Sequence, residues 1–305
     1  MLFTAADAEA PLAAATALFL DNEFGRDDVN KFARLANSTD PVGTLDHATC
    51  GDRAASARYR EVMRPLGLGD EMRVTLVSGG RCWGVLCLHR EDAASGFGER
   101  EVGLLRRLVV PLAEGLRKGI ALVATGPDAA EAPAAVGPGI IVLGVDLSIV
   151  SINPQAERWL SSMVDADWPA HSDLPLPVYA AAAHVLGAHR GDVIAPAATR
   201  LRGADGGWIT VQASPLNGTA GPQVAVILDA ANGGQLSSLV LAAHGLTAAQ
   251  SRVAALVLQG RSTRYIVNEL HISSNTVQEH LRAVFDKFGI GSRRELVVAL
   301  SGRPH

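Results

Sequence analysis

The chain has 305 residues, 48% of them apolar, which is enough for two or three domains with proper cores. Its formal net charge of −4 divides into +4 from His244 onward and −8 before it, so a basic tail follows an acidic body. No apolar run reaches 18 residues, Met1-Leu2-Phe3 leads into Asp7 and Glu9, and the cysteines number three (Cys50, Cys82, Cys87), which argues against a membrane span, a signal peptide and a disulfide framework and fits a reduced cytoplasm.

In chain order, FGRDDVNKFARLA (24–36) predicts a helix with Val29, Phe32, Ala33 and Ala36 on one face. MRVTLVSGGRCWGVLCLHRE (72–91) predicts a β-hairpin turning at Ser78-Gly79-Gly80. In its second strand Trp83, Val85, Cys87 and His89 share one face, and Cys82, Gly84, Leu86 and Leu88 the other. Both faces are apolar, which predicts an inner strand covered on both sides. EREVGLLRRLVVPLAEGLRKGI (99–120) predicts a long helix kinked at Pro111.

Hairpin, loop and long helix, together with NKFARLA, GLGDEMRVTL and CWGVLCLHRE, resemble a GAF domain, a small-molecule sensing fold, of the kind attached to LuxR-type modules in actinobacterial regulators. The resemblance implies a GAF-like sensory domain over 1–123, expected to be shortened at its N-terminus because the chain begins where such a domain already has a helix and a strand. Ala, Gly and Pro dominate ATGPDAAEAPAAVGPG after it, which reads as a linker over 124–137.

GIIVLGVDLSIVSINPQAERWL (139–160) predicts two strands turning at Gly144 to Ser148, then a helix capped by Asn153 with Pro154 at its first position. TRLRGADGGWITVQASPL predicts a hairpin around Asp205-Gly206-Gly207, and PQVAVILDA a final strand. This succession resembles a PAS domain over 138–229, although Ser161 to Pro196 matches nothing recognisable. AANGGQ opens a second linker, over 230–243.

Four helical patterns follow in 244–305. Thr247 with Gln250 forms a capping box ahead of Val253, Leu256 and Val257. Gly260 stops that helix, and Ser262 caps the next, which turns Ile266 and Leu270 inward. A tight turn at His271-Ile272 leads to Ser273, the N-cap of a third helix about 24 Å long at ~1.5 Å per residue. Val277, Leu281, Val284, Phe285 and Phe288 fall on its inner face; Asn275, Gln278, Glu279, Arg282 and Asp286 fall on its outer face. Gly289 ends it, and Ser292 with Glu295 forms a capping box for a fourth helix.

This segment resembles the LuxR-type helix-turn-helix of bacterial transcription regulators through Leu246-Thr247, Gly260, Ile266, Leu270, Ile272-Ser273, Thr276-Val277, His280, Lys287, Ser292-Arg293 and Glu295-Leu296. The resemblance implies an all-α four-helix domain whose motif core is Ile266, Leu270, Ile272, Val277 and Leu281, whose third helix enters the major groove, and whose fourth helix pairs two copies on a two-fold DNA site. Base contacts are then expected from Gln278, Glu279 and Arg282, and phosphate contacts from Asn275, Thr276 and Lys287. Gln250, Tyr265 and His271 depart from the family, which has Glu, Glu and Gly there; Lys is common at the positions of Asn275 and Gln278. A left-handed His271 would carry roughly 1 kcal/mol of strain.

No catalytic constellation is visible: a Ser-His-Asp order, a P-loop and a dinucleotide fingerprint are all missing from the sequence, and no cofactor is expected. Cys82, Cys87 and His89 do not have zinc-site spacing, and Cys82 points away from the other two, so no metal site is expected. Asp70-Glu71 and Asp205 read as turn residues. The expectation is therefore a one-component, non-enzymatic transcription regulator with α+β sensory domains ahead of the helix-turn-helix. Its partners are double-stranded DNA, a second copy of itself and an unidentified small molecule, without a membrane. The alternative is a protein-interaction module whose helix-turn-helix has lost DNA binding, suggested by Asn275, Gln278 and Glu279.

Overall fold

A computed structural model of the chain describes residues 15–93, 95–125, 137–163, 174–188, 197–204, 207–218, 221–231 and 240–301. They group into two compact units, Met1–Ala113 with Pro133–Ala230 and Glu114–Ala132 with Ala231–His305. The expected 124–137 linker lies almost wholly outside the described residues, as do Asp205 and Gly206 of the expected turn.

The first unit begins with α1 (Thr16–Gly25), α2 (Phe32–Leu35), β1 (Val42–Thr44) and α3 (Leu45–Ala48). The helix expected over 24–36 is a correction: α1 ends at Gly25, and only one helical turn re-forms at Phe32. Polar side chains divert the backbone between them. The Asp28 carboxylate accepts from Val29 N (2.8 Å), and Asn30, at φ +53°, donates from Nδ2 to Thr44 O (2.9 Å).

β2 (Leu68–Ser78) and β3 (Arg81–Glu91) form the predicted hairpin, with Gly79 and Gly80 at φ +59° and +72°, as a two-residue primed turn requires. The antiparallel order is β1-β2-β3. β2 is therefore the inner strand, and β3, expected to be covered on both sides, lies at the edge with Leu88 exposed. Asp70 and Glu71, expected at a turn, lie buried within β2. The Asp70 carboxylate still serves backbone groups, accepting from the amides of Asp46, Glu71 and Phe97. α4 (Glu99–Thr125) runs on through Pro111.

The second sheet has β4 (Gly139–Leu143), β5 (Ile149–Ile152), β6 (Ala197–Arg202), β7 (Trp208–Gly218) and β8 (Gly221–Ala230) in the antiparallel order β5-β4-β8-β7-β6. α5 (Pro154–Met163) starts as predicted, with Asn153 Oδ1 accepting from Ala156 N at 2.8 Å. α6 (Leu176–Ala188) lies in the stretch that matched nothing. The sheet buries alternate residues, Val224, Val226 and Leu228 of β8 among them, against Trp159 and Leu160 of α5 and Val178, Ala182 and Val185 of α6. α1 joins this core through Leu20. Phe24 meets His184 edge-on at 5.3 Å, and Gly187 admits the Phe24 carbonyl so closely that a Cβ there would lie 2.3 Å from its oxygen.

The second unit contains α7 (Ala248–Leu258), α8 (Thr263–Leu270), α9 (Ser274–Phe288) and α10 (Arg293–Ser301). All four start signals act as read. Thr247 and Gln250 complete a capping box, and Ser262 and Ser273 accept from Tyr265 N and Thr276 N. Ser292 Oγ accepts from Glu295 N, while the Glu295 carboxylate takes the Ser292 hydroxyl and Gly291 N. Val253, Ile266, Val277, Leu281, Val284 and Leu296 form the core, with Leu270 and Ile272 packed against it. Val240 and Leu241, expected within the second linker, are buried in the same core. No described helix is long and apolar enough to cross a membrane.

Candidate functional sites

The outer face of α9 is set by its helical period: with Val277, Leu281 and Val284 buried, Asn275, Gln278, Glu279, Arg282 and Asp286 are all exposed. His271 sits at φ +52°, ψ +44° and ends α8, so the turn leaves Ser273 free to cap α9. The side chains on this face differ in freedom. Asn275 Nδ2 donates to Glu279 Oε1 at 2.9 Å, an i,i+4 bond that ties down the carboxylate. Thr276 Oγ1 is 2.9 Å from Ser273 Oγ, within the cap. Lys287 Nζ donates to Gly245 O at 2.7 Å and Gln250 Oε1 at 2.9 Å, so its ammonium braces the start of α7. Gln278 and Arg282, one turn apart, hydrogen-bond no described residue and point outward.

A second concentration of polar groups lies against one face of the first sheet. Period-2 alternation puts Glu71 and Arg73 of β2 on one face, and the register sets them opposite His89 and Cys87 of β3. Glu71 and Arg73 are buried together with Arg58 and Lys31. Glu71 Oε2 accepts from Arg58 Nη2 (2.6 Å) and Nε (2.9 Å), and Arg73 Nε lies 3.1 Å away in ion-pair contact. Arg73 Nη1 reaches Glu23 Oε2 at 2.6 Å, and its guanidinium lies over the rings of Phe32 (4.5 Å) and Phe19 (5.1 Å). Arg58 also contacts Asn22 Oδ1 and Val29 O, both at 3.3 Å. Lys31 Nζ donates to Asn22 O and Glu23 O.

The other Glu71 oxygen, Oε1, faces Cys87 Sγ at 3.2 Å and His89 Nε2 at 3.4 Å. Burial pushes the Glu71 carboxyl up, but Arg73, His89 and Arg58 outweigh it and hold the group well below the usual carboxylate range. Burial, then Glu71, pushes the Cys87 thiol well up. Burial brings the Lys31 ammonium down to about 8. Cys82 is exposed, and a register shift between Leu76 and Val77 pairs it with Val77, which interrupts the alternation expected to set it opposite Cys87. The sequence alone could not assemble this cluster, because its members come from α1, the 26–31 turn, the residues before β2 and two strands. The available signal was Glu71 and Arg73 alternating within a strand whose other residues are largely apolar. Elsewhere in this unit an open pocket of about 460 Å³ is lined by Asp46, Gly51, Arg53, Ala54, Tyr59, Arg64 and Ala93.

No curated protein matches the chain. Among solved structures, "VqmA bound to DPO" is 17% identical, with 54% of this chain and 80% of that one covered at a TM-score of 0.24. The Vibrio cholerae VqmA dimer without target DNA is 15% identical, with 55% and 84% covered at 0.24. The phage VqmA–DPO complex is 17% identical, with 61% and 87% covered at 0.22. Residues 244–300 match "Bacterial regulatory proteins, luxR family", and residues 5–115 match the GAF domain. The chain thus carries a GAF domain in its N-terminal part and a luxR-family helix-turn-helix at its C-terminal end.

Proposed function

We propose that this protein is a one-component transcription regulator of the cytoplasm that reads a two-fold DNA site as a homodimer. Its N-terminal body, a GAF domain over 1–123 and a PAS-like domain over 138–229, would modulate the C-terminal reader, 244–305. The observation that carries this reading is the outer face of α9, in a luxR-family domain, where Gln278 and Arg282 are exposed and hydrogen-bond no described residue. Arg282 suits a guanine edge, Gln278 an adenine edge, and Glu279 a cytosine amino group. Asn275, Thr276 and Lys287 are the phosphate contacts, each after exchanging its present partner. The strand order β5-β4-β8-β7-β6, with α5 after the second strand and α6 before the third, supports the PAS-like reading. A small-molecule effector is part of this account, acting as a population shift in how two readers are spaced.

The interaction-module reading keeps one observation in its favour: Glu279 places a carboxylate on the reading face and Asn275 holds it there. Salt separates the two. A reader that neutralises several phosphates loses affinity steeply as salt rises, with a slope of about −0.9 per phosphate on a log–log plot. A slope near zero on duplex DNA would rule out the regulator reading.

A further inference from the structure

Glu71 Oε1, Cys87 Sγ and His89 Nε2 converge on one point. Their separations are 3.2 Å (Cys87–Glu71), 3.4 Å (His89–Glu71) and 3.7 Å (Cys87–His89). An ion bonded to S, N and O at ~2.0–2.3 Å in tetrahedral geometry holds its donors about 3.3–3.6 Å apart. All three edges of the triangle are close to that spacing. We propose that these three side chains form a binding site for one thiophilic divalent cation of the Zn²⁺ class.

The fold places the donors without help from an ion. Cys87 and His89 are alternate residues on one face of β3, and His89 is the direct cross-strand partner of Glu71. Pairing across the hairpin thus supplies the third ligand that β3 lacks on its own. Arg58 and Arg73 both bind the far oxygen, Oε2, which turns Oε1 toward the other two donors in the manner of outer-shell partners. Their positive charge is shared with further carboxylates: Glu23 is 2.6 Å from Arg73, and Asp28 is 3.9 Å from Arg58. Soft sulfur with imidazole selects a zinc-like ion over Mg²⁺ or Ca²⁺, and three protein ligands leave a position for water. Binding exchanges the Cys87 thiol proton for the metal, so that proton passes to solvent as the ion binds. An ion here also touches the ionic network that reaches α1 through Arg73 and Glu23.

The site lies wholly within the three-stranded sheet, so its occupancy is measured without DNA. The test is Co²⁺ titration of the full-length protein, stripped with chelator and kept reduced, followed by optical spectroscopy. We expect one equivalent to give tetrahedral d–d bands and a sulfur-to-cobalt charge-transfer band, with about one proton released and the bands lost on adding Zn²⁺. Cys87→Ser should abolish the charge-transfer band, and His89→Gln should weaken binding at least tenfold; circular dichroism identifies a variant that fails to fold, and the other then decides. Cys50→Ser and Cys82→Ser should leave the spectrum unchanged. No stoichiometric band in the wild type, a band that survives Cys87→Ser, or one lost with Cys50 or Cys82 would overturn the assignment.

Discussion

Glu71→Gln removes one charge from the buried ionic cluster while nearly keeping its shape, so its effect isolates the electrostatics. The side chains of Glu71, Arg58 and Arg73 are all 0% exposed, and a single oxygen, Oε2, serves both guanidiniums. Gln would leave two buried arginines sharing Glu23 and Asp28, of which only Glu23 is in close contact. Breaking a buried pair from one side costs about 3–5 kcal/mol, because the stranded charge keeps its desolvation penalty. That is a large part of a typical ~5–15 kcal/mol total, and corresponds to a drop in Tm on the order of 10 °C. Urea and thermal unfolding followed by circular dichroism measures it. Glu61→Gln is the control: Glu61 binds Arg26 at 2.6 Å, but both side chains are more than a third exposed, so the loss should stay within about 1 kcal/mol. In the Glu71→Gln background, Arg58→Met should cost much less than in the wild type, since the two share one interaction. Equal losses for Glu71→Gln and Glu61→Gln would mean that burial adds nothing to the strength of the Glu71 ion pairs.

Gly187→Ala places a Cβ 2.3 Å from the Phe24 carbonyl oxygen, so α1 has to shift off α6; a loss of about 1–3 kcal/mol, with faster proteolysis near α1, is expected despite the better helix propensity of Ala. Lys31, brought down to about 8 in the fold from an ordinary 10.5, sheds its proton earlier when folded than when unfolded. Stability should therefore rise with pH between about 8 and 10.5, by at most ~3 kcal/mol, and Lys31→Met should abolish that rise; superimposable pH profiles would contradict it. His271→Gly should relieve the left-handed strain at φ +52° and stabilise the helical unit by up to ~1 kcal/mol in thermal unfolding.

Local rules were sufficient for the helical unit. Thr247, Ser262, Ser273 and Ser292 announce each helix beside the backbone amides they cap, and the 3.6-residue period of α9 fixes which side chains face out. The hairpin was legible for the same reason, since Gly79-Gly80 specifies its turn. The ionic cluster was not, because it depends on strand register and on side chains far apart in sequence. Glu71 looked like a turn residue because its neighbours Gly67, Gly69 and Asp70 favour turns, and only pairing with β3 shows it inside a strand. The helix expected over 24–36 failed because its apolar period ignored Asp28 and Asn30, whose side-chain bonds redirect the backbone. α6 was missed because its run of alanines is buried almost all round and offers no amphipathic period.

Whether α9 reads DNA is decided by selecting genomic fragments with the full-length protein at two salt concentrations, with Arg282→Ala alongside. Reading by α9 enriches a two-fold motif whose binding weakens with salt, and the variant loses about 1–3 kcal/mol in affinity with relaxed preference at one position of each half-site. Weak binding that ignores sequence and is unchanged by Arg282→Ala would contradict it.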